Sequence, residues 1–116
     1  MASATAKLQN LSIGPRKVRL VADLIRGKRV DTARDILTFT LKGSAQPLRK
    51  LLDSAVANAE NSASERNERI DPDEMFVEKI IVNEGRTLRR FQPAPRGRAN
   101  RIRKRSCHVE LVIADK

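Results

Sequence analysis

A run of twenty residues, 86–105, constrains the fold of this chain more than any other feature of its sequence. It reads RTLRRFQPAPRGRANRIRKR and carries nine basic side chains and no acidic one. Almost the whole formal net charge of +10 lies here, since the rest of the 116-residue chain holds nearly equal numbers of acids and bases. A segment so densely charged cannot be buried in an apolar core. We therefore expect residues 86–105 to project from the folded body.

The segments on either side of this run predict that it forms a β-hairpin. A stretch rich in β-branched residues begins at Met75, and apolar residues alternate along Cys107–Ile113. Residues 93–97, PAPRG, are turn formers near the middle of the run. At roughly 3.3 Å per residue, the two strands would reach about 30 Å beyond the body. Such a ribbon is marginally stable alone, so we expect full order only when phosphates surround it; a disordered basic tail is the alternative.

The composition points to a polyanionic partner and excludes several other classes of protein. Arg supplies eight of the nine cations, which favours the planar, bidentate phosphate groups of a folded nucleic acid over a diffuse membrane surface. No apolar run approaches the roughly 20 residues that cross a bilayer. Residues 1–11 resemble neither a signal peptide nor a transit sequence, so we expect a cytosolic protein. One Cys and one His exclude a disulfide or zinc scaffold, and we expect no metal and no cofactor.

The first helix is predicted at Pro15–Arg26, and it carries a second basic patch. Pro15 suits a first helical turn, apolar residues recur at helical spacing, and Gly27 can end the helix. One side of the helix and the turn that follows it hold six cations: Arg16, Lys17, Arg19, Arg26, Lys28 and Arg29. A solvated helix face without a partner is the alternative interpretation of this patch.

Two further helices and a short strand complete the predicted body. A strand of weak alternation covers Ala4–Ile13. Asp31 can cap a second helix that ends at Gly43, with one apolar side made of Ala33, Ile36, Leu37 and Leu41. The third helix begins after Ser44 and has the clearest apolar pattern: Leu48, Leu51, Leu52, Ala55, Val56 and Ala59. Residues 60–74 lose this periodicity and read as a polar, acidic loop that faces away from a polyanion.

The sequence offers no group of residues typical of catalysis. Cys107 beside His108 resembles part of a nucleophilic dyad, but no orienting group, Gly-rich phosphate loop or nucleophile elbow accompanies the pair. We therefore interpret His108 as a strand histidine with a hydrogen-bond partner, and we expect the protein not to be an enzyme.

Five short segments resemble a known family in the family's own order. They are GPRKVRLVADLIRGK at 14–28, SAVANAE at 54–60, VNEG at 82–85, GRA at 97–99 and KRSCH at 104–108. Together they span nearly the whole chain and resemble the universal large-subunit ribosomal protein family that is numbered twenty-two in bacteria. Gly14 stands where that family commonly has Ser, so we expect no side-chain cap on the first helix.

The resemblance implies an α+β fold of three helices on a small antiparallel sheet, with a long protruding basic hairpin. The chain would then form one ribosomal-protein domain, 1–116, with residues 86–105 as its arm. The body would lie near the exit of the nascent-chain tunnel, in contact with large-subunit rRNA and neighbouring large-subunit proteins. The hairpin would thread through rRNA until its tip lines the tunnel and meets the nascent polypeptide. The protein would be a monomer within the cytoplasmic ribosome.

The charge pattern and the resemblance together predict two sets of site residues. The predicted RNA-binding residues are Arg16, Lys17, Arg19, Arg26, Lys28, Arg29, Arg86, Arg89, Arg90, Arg96, Arg98, Arg101, Arg103, Lys104 and Arg105. The resemblance implies a tunnel-lining tip made of Arg89, Arg90, Phe91, Gln92, Pro93, Ala94, Pro95, Arg96, Gly97 and Arg98. Phe91 would either stack on a base or pack across the ribbon against Ile102.

Two other functions compete with a structural role on rRNA. An architectural DNA-binding protein could wrap a duplex with basic arms and insert Pro93 or Pro95 as a wedge between base steps. Such proteins usually act as dimers, and the sequence leaves no evident apolar surface for dimerisation. A nuclease or RNA-modifying enzyme would need paired carboxylates near residues 86–105, and that segment has none. Bracing of several rRNA segments by the arm is therefore the function that we expect.

Overall fold

The computed structural model describes residues 3–67, 71, 74–93 and 99–114, and for residues 88–93 and 99–104 it describes the backbone. Three helices and five strands follow one another along the chain. In order they are β1 (Ser3–Leu11), α1 (Pro15–Ile25), α2 (Val30–Phe39), α3 (Ala45–Glu65), β2 (Phe76–Glu84), β3 (Leu88–Pro93), β4 (Ala99–Lys104) and β5 (Cys107–Ala114). This is the α+β fold that the sequence predicts.

The central sheet is antiparallel and has the strand order β1-β5-β2. The middle strand, β5, pairs with both neighbours, so that Leu111 lies opposite Ala6 on one side and Ile80 on the other. The predicted alternation along this strand is confirmed, because Cys107, Val109, Leu111 and Ile113 are all buried. One face of the sheet therefore forms one wall of the core.

The helices cover that face and close the core. The six apolar residues that predicted the third helix are all buried in α3, and Pro47 is accommodated in the first helical turn. In α1 the residues Val18, Val21, Ala22 and Ile25 are also buried, which confirms the predicted amphipathic pattern. The backbone of Gly14 begins α1 without a side-chain cap, as its sequence predicts.

The structure corrects two predictions about α2. Its N-cap is Arg29, with no side-chain cap hydrogen bond, and Asp31 lies within the first turn, where its Oδ1 accepts from the backbone N–H of Thr32. The helix ends at Phe39 because Thr40 is extended, with φ −80° and ψ 129°. Leu41 therefore lies beyond the helix and is fully exposed, whereas Ala33 and Leu37 are buried. The prediction that α2 continues to Gly43 is wrong.

The expected loop at residues 60–74 is also partly wrong. The helix α3 continues through Glu65, since Ala63 follows Ala59 at helical spacing and both are buried. Asn67, with φ 52°, adopts the left-handed conformation that ends many helices. Of the remaining residues in this range, 68–70, 72 and 73 lie outside the described part of the chain.

The basic arm (residues 86–105) contains the predicted hairpin. The strands β3 and β4 form a separate two-stranded antiparallel sheet, in a register that runs from Leu88 opposite Lys104 to Pro93 opposite Ala99. The molecule measures 66 × 26 × 16 Å, and its radius of gyration of 17.5 Å exceeds the roughly 13 Å of a compact chain of this length. The fold is thus a body with an extended ribbon.

Candidate nucleic-acid interface

The second basic patch, on α1, lies at the surface because the helix buries its apolar side against the sheet. Burial of that side turns Arg16, Lys17 and Arg19 outward, and all three are exposed. Arg26, Lys28 and Arg29 follow at the end of the helix and in the next turn, and they are exposed too. The six predicted cations of this patch are therefore at the surface.

Arg19 and Arg26 bind backbone carbonyls at one edge of the central sheet. Arg19 donates from Nε and Nη2 to the carbonyl oxygen of Val82, at 3.3 and 2.9 Å. Arg26 donates from Nη2 to the carbonyl oxygen of Ile80 at 2.9 Å and also pairs with Asp23. Both acceptors belong to β2, the edge strand of the central sheet, whose unpaired carbonyls need partners. Helical spacing and charge alone do not indicate this role.

The turn after α1 continues the covering of the same edge. Gly27 donates its N–H to the Val77 carbonyl at 3.0 Å, and the N–H of Val77 donates to the Lys28 carbonyl at 2.8 Å. Arg29 forms an isolated antiparallel bridge with Phe76, and its Nε lies 3.7 Å from the Asp31 carboxylate. These backbone bonds fix the turn, and the side chain of Lys28 remains at the surface.

An open cleft lies where the body meets the arm. Its volume is about 960 Å³, and it brings the start of α1 together with both ends of the basic arm. We call this surface the junction cleft. Its lining residues are Asn10, Ser12, Ile13, Gly14, Pro15, Arg16, Lys17, Arg86, Arg105 and Ser106. Four of them are exposed cations and none is acidic. Cations about 70 to 90 positions apart in the sequence thus surround one concave surface.

Close packing holds the two walls of the cleft near each other. A Cβ atom added to Gly14 would lie 3.9 Å from the Cβ of Arg105, which is van der Waals distance. Periodicity could not have revealed Asn10, Ser12 or Ser106 as part of this surface, because β1 and the residues flanking β5 meet here only through the fold. The fold brings four of the predicted RNA-binding residues together at this cleft: Arg16, Lys17, Arg86 and Arg105.

The remaining predicted cations of the arm lie on β3 and β4. The register places Arg89 opposite Arg103, and Arg90 opposite Ile102. Like charges at opposed positions destabilise an isolated pair of strands, so a polyanion would stabilise this ribbon. Phe91 lies opposite Arg101, so Phe91 and Ile102 are not cross-strand partners.

The predicted tip is described only in part. Arg89, Arg90, Phe91, Gln92 and Pro93 belong to β3, and Arg101, Arg103 and Lys104 belong to β4. The tip residues Ala94, Pro95, Arg96, Gly97 and Arg98 lie outside the described residues.

Cys107 and His108 are placed as structural residues. Cys107 is fully buried, and burial raises the pKa of its thiol, although the nearby positive charge of Arg19 acts in the opposite direction. His108 accepts at Nδ1 a hydrogen bond of 3.0 Å from the backbone N–H of Asn10. The prediction of a strand histidine with a hydrogen-bond partner is confirmed.

Among the side chains that the structure describes, four large apolar ones lie at the surface, contrary to the expectation that no apolar surface is left over. Leu20 and Leu24 project from α1 and are 60% and 48% exposed, and Phe39 and Leu41 at the end of α2 are 81% and 101% exposed. They face outward because each lies off the buried side of its helix or beyond it. The objection to a dimeric DNA-binding protein is weakened to that extent.

The residues that the structure describes include neither a candidate metal site nor a helix suited to span a membrane. Across the described ranges, no group of three or more His, Cys, Asp or Glu side chains is arranged to hold a metal ion. In the same part of the chain, no helix has both the length and the apolar character needed to span a membrane.

An α+β body that carries a basic ribbon, with cations concentrated in a cleft at their junction, defines a class of structural polyanion-binding protein. A family model described as ribosomal protein L22p/L17e matches residues 6–114, which is almost the entire chain. The chain belongs to this family, and it is therefore a structural constituent of the large ribosomal subunit. The family is a structural, non-enzymatic class of protein.

Proposed function

We propose that this protein binds large-subunit rRNA through the junction cleft and the basic arm, and that it braces rRNA segments which meet at these two places. One observation carries the proposal. Arg16 and Lys17 from the body and Arg86 and Arg105 from the arm surround one cleft whose described lining residues include no acid, although the sequence places these cations far apart. Such a grouping suits phosphate groups that crowd together in folded RNA.

The binding mechanism is electrostatic. Each Arg or Lys that meets a phosphate releases condensed counterions, which favours binding and makes it depend on salt. The guanidinium groups of the cleft can also pair with phosphate in a bidentate manner. Because A-form RNA hides its bases in a deep, narrow major groove, contacts of this type read the shape of the RNA more than its sequence.

The bracing role follows from the separation of the two contact regions. The cleft lies at the base of the arm, and the ribbon contributes to a molecule 66 Å long. An RNA segment in the cleft and another along β3 and β4 would be held at a fixed separation. Like charges at opposed positions of the ribbon would be neutralised by the same contacts.

The role of the tip rests on the family alone. The sequence resemblance implies that residues 89–98 line the nascent-peptide exit tunnel and meet the nascent polypeptide there. It also implies contact with neighbouring large-subunit proteins, a monomeric state in the ribosome and a cytoplasmic location. Family membership supports these proposals, and the residues 94–98 that matter most for them lie outside the described residues.

A competition experiment with matched charge variants tests the rRNA proposal. In the cleft variant, Arg16, Lys17, Arg86 and Arg105 are all replaced by Ala. In the control variant, four exposed cations that do not line the cleft are replaced by Ala: Lys7, Lys42, Arg49 and Lys50. The two variants have the same net charge, so any difference between their rRNA affinities shows that the position of the removed cations matters.

The wild-type chain should prefer folded large-subunit rRNA to random duplex DNA at near-physiological salt. The cleft variant should bind rRNA more weakly, and its plot of log K against log salt should be flatter by up to about 3 units, because up to four phosphate contacts are lost. The control variant should change that slope much less. Equal affinity of the wild type for duplex DNA and rRNA would favour the architectural DNA-binding alternative. Equal slopes for the two variants would remove the cleft from the interface.

A further inference from the structure

The strands change register at the point where the body becomes the arm. The last pair of the central sheet here is Glu84 opposite Cys107, and the first pair of the ribbon is Leu88 opposite Lys104. The three residues 85–87 therefore lie opposite only two residues, 105 and 106. An extra residue on one strand is the mark of a β-bulge, which bends the strand and increases its twist. The direction of the arm is set at this step.

A side chain at position 85 would crowd this step. A Cβ atom at position 85 would lie 2.7 Å from Oγ of Ser106 and 3.2 Å from both Nε2 of His108 and the carbonyl carbon of Ser106. The backbone is held at the same place, since Gly85 donates its N–H to the Ser106 carbonyl at 2.8 Å. The hydroxyl of Ser106 in turn donates to the Arg86 carbonyl at 2.6 Å.

His108 connects this step to a second irregularity on the other side of the sheet. Its Nδ1 accepts from the N–H of Asn10, so the neutral ring carries its proton on Nε2. Asn10 has φ 59° and lies where the β1–β5 register shifts between Leu8 and Leu11. The central strand β5 thus places one imidazole between Asn10, a cleft residue, and Gly85, the first residue of the bulge.

We infer that Gly85, Ser106 and His108 are positioning residues that hold the arm in one direction relative to α1. They act through Arg86, whose carbonyl accepts from the Ser106 hydroxyl, and through Arg105, which directly precedes Ser106, and so keep these two cations across the junction cleft from Arg16 and Lys17. Two linked contact regions bind more tightly than either alone only when their geometry allows both to engage the same partner. This inference rests on the proposed function, and it names the residues that set the arrangement of the cleft and the arm before RNA binds.

The test pairs two glycines that differ only in their surroundings. Gly85→Ala introduces the close contacts described above, whereas a Cβ at Gly43 would meet nothing within 4 Å, which makes Gly43→Ala the matched control. Neither substitution changes the net charge. Spin labels at Ala57→Cys on the exposed side of α3 and Gln92→Cys on β3 report the direction of the arm, and the buried Cys107 does not compete for the label.

Gly85→Ala should shift or broaden the distribution of label distances and weaken binding to large-subunit rRNA by roughly tenfold or more, because the two contact regions no longer engage together. The slope of log K against log salt should flatten although no charge is removed. Gly43→Ala should leave the label distances, the affinity and the slope at their wild-type values. An unchanged distance distribution in Gly85→Ala would overturn the inference, and so would a changed distribution with unchanged rRNA affinity.

A second series keeps the test decisive if Gly85→Ala does not fold. Ser106→Ala removes the hydroxyl that donates to the Arg86 carbonyl, and Ser106→Thr restores a hydroxyl at the same position. The Ala variant should broaden the label distances and weaken rRNA binding, and the Thr variant should recover both. Equal behaviour of the two variants would overturn the inference. Failure of the wild type to prefer rRNA would instead defeat the proposed function, and the label distances would still show whether these residues direct the arm.

Discussion

The body and the arm of this protein are held together by different physical means. The body buries an aliphatic cluster between the central sheet and three helices, with residues such as Leu52, Val18 and Leu111 fully enclosed. The strands of the arm pair with each other in a sheet of their own, and their sequence is dominated by Arg. Hydrophobic burial therefore stabilises the first region without a partner, whereas the charge of the second predicts that it needs a polyanion to become fully ordered.

The same contrast occurs on a smaller scale within α1. Arg19 and Arg26 turn toward the edge strand β2 and satisfy its carbonyl oxygens. Arg16 and Lys17, less than one turn before Arg19, line the junction cleft. A basic helix face that looks uniform in sequence is thus divided between stabilising the fold and presenting charge to a partner.

The largest expected effect on stability separates the core from the surface. Leu52→Ala should lower the free energy of unfolding by about 2–5 kcal/mol, since it removes a fully buried side chain and leaves a cavity. Leu20→Ala is the control, because Leu20 is 60% exposed and its truncation should change stability by less than about 0.5 kcal/mol. Urea unfolding followed by circular dichroism measures both. Similar losses in the two variants would contradict the assigned core.

Removal of the arm should affect binding far more than folding. Replacing residues 88–104 with an Asn-Gly turn should leave the free energy of unfolding within about 1 kcal/mol of the wild-type value, because the core residues that the structure describes all lie outside this segment. Affinity for large-subunit rRNA should fall by about 100-fold or more as the phosphate contacts of the arm are lost. Urea unfolding and filter binding measure the two quantities. A chain that no longer folds would show that the body depends on the arm.

A pair of single substitutions on α1 sharpens the division within that helix. Arg19→Ala should lower the free energy of unfolding by about 1 kcal/mol, because the Val82 carbonyl loses both hydrogen bonds. Lys17→Ala removes the same charge, but Lys17 lines the junction cleft rather than binding the β2 carbonyls, so this substitution should weaken rRNA binding and leave stability within about 0.5 kcal/mol. Each variant is measured in both assays. Identical profiles for the two variants would show that the helix face is functionally uniform.

The buried thiol at the start of β5 makes the stability of the body depend on pH. Burial raises the pKa of Cys107 above its ordinary value of 9.0, so the folded state favours the neutral thiol. That contribution to stability is complete below the pKa of the unfolded chain and is lost as the pH rises through it toward the folded value. At pH 10, wild type should have lost up to about 1.4 kcal/mol relative to Cys107→Ala, compared with the same difference at pH 7.5. A constant difference across this range would contradict the direction of the shift.

The sequence predicted the elements better than their limits. The period-two burial of Cys107–Ile113 and the helical spacing along α3 both came out as expected, because each pattern records which side of an element meets the core. The predictions failed where a local signal competed with packing. Asp31 looked like a cap but lies inside the first turn of α2, and residues 60–65 looked like a loop although Ala63 extends the buried side of α3.

The candidate site shows the same limit. The sequence alone located both basic patches and assigned the cations to them, since charge density and helical spacing are visible along the chain. It could not show that Arg16 and Lys17 lie across a cleft from Arg86 and Arg105, or that Arg19 and Arg26 bind a strand edge. Those relations depend on how β1, α1 and β5 pack.

By itself, the sequence determined that an aliphatic body carries a basic hairpin, because the placement of apolar and charged residues dictates what can be buried and what must remain in solvent. Only the tertiary structure decided which cations are free to meet a partner and in which direction the arm leaves the body. Both depend on contacts between residues distant in sequence, such as Gly85 with His108 and Asn10 with His108, which are defined only after the sheet has formed.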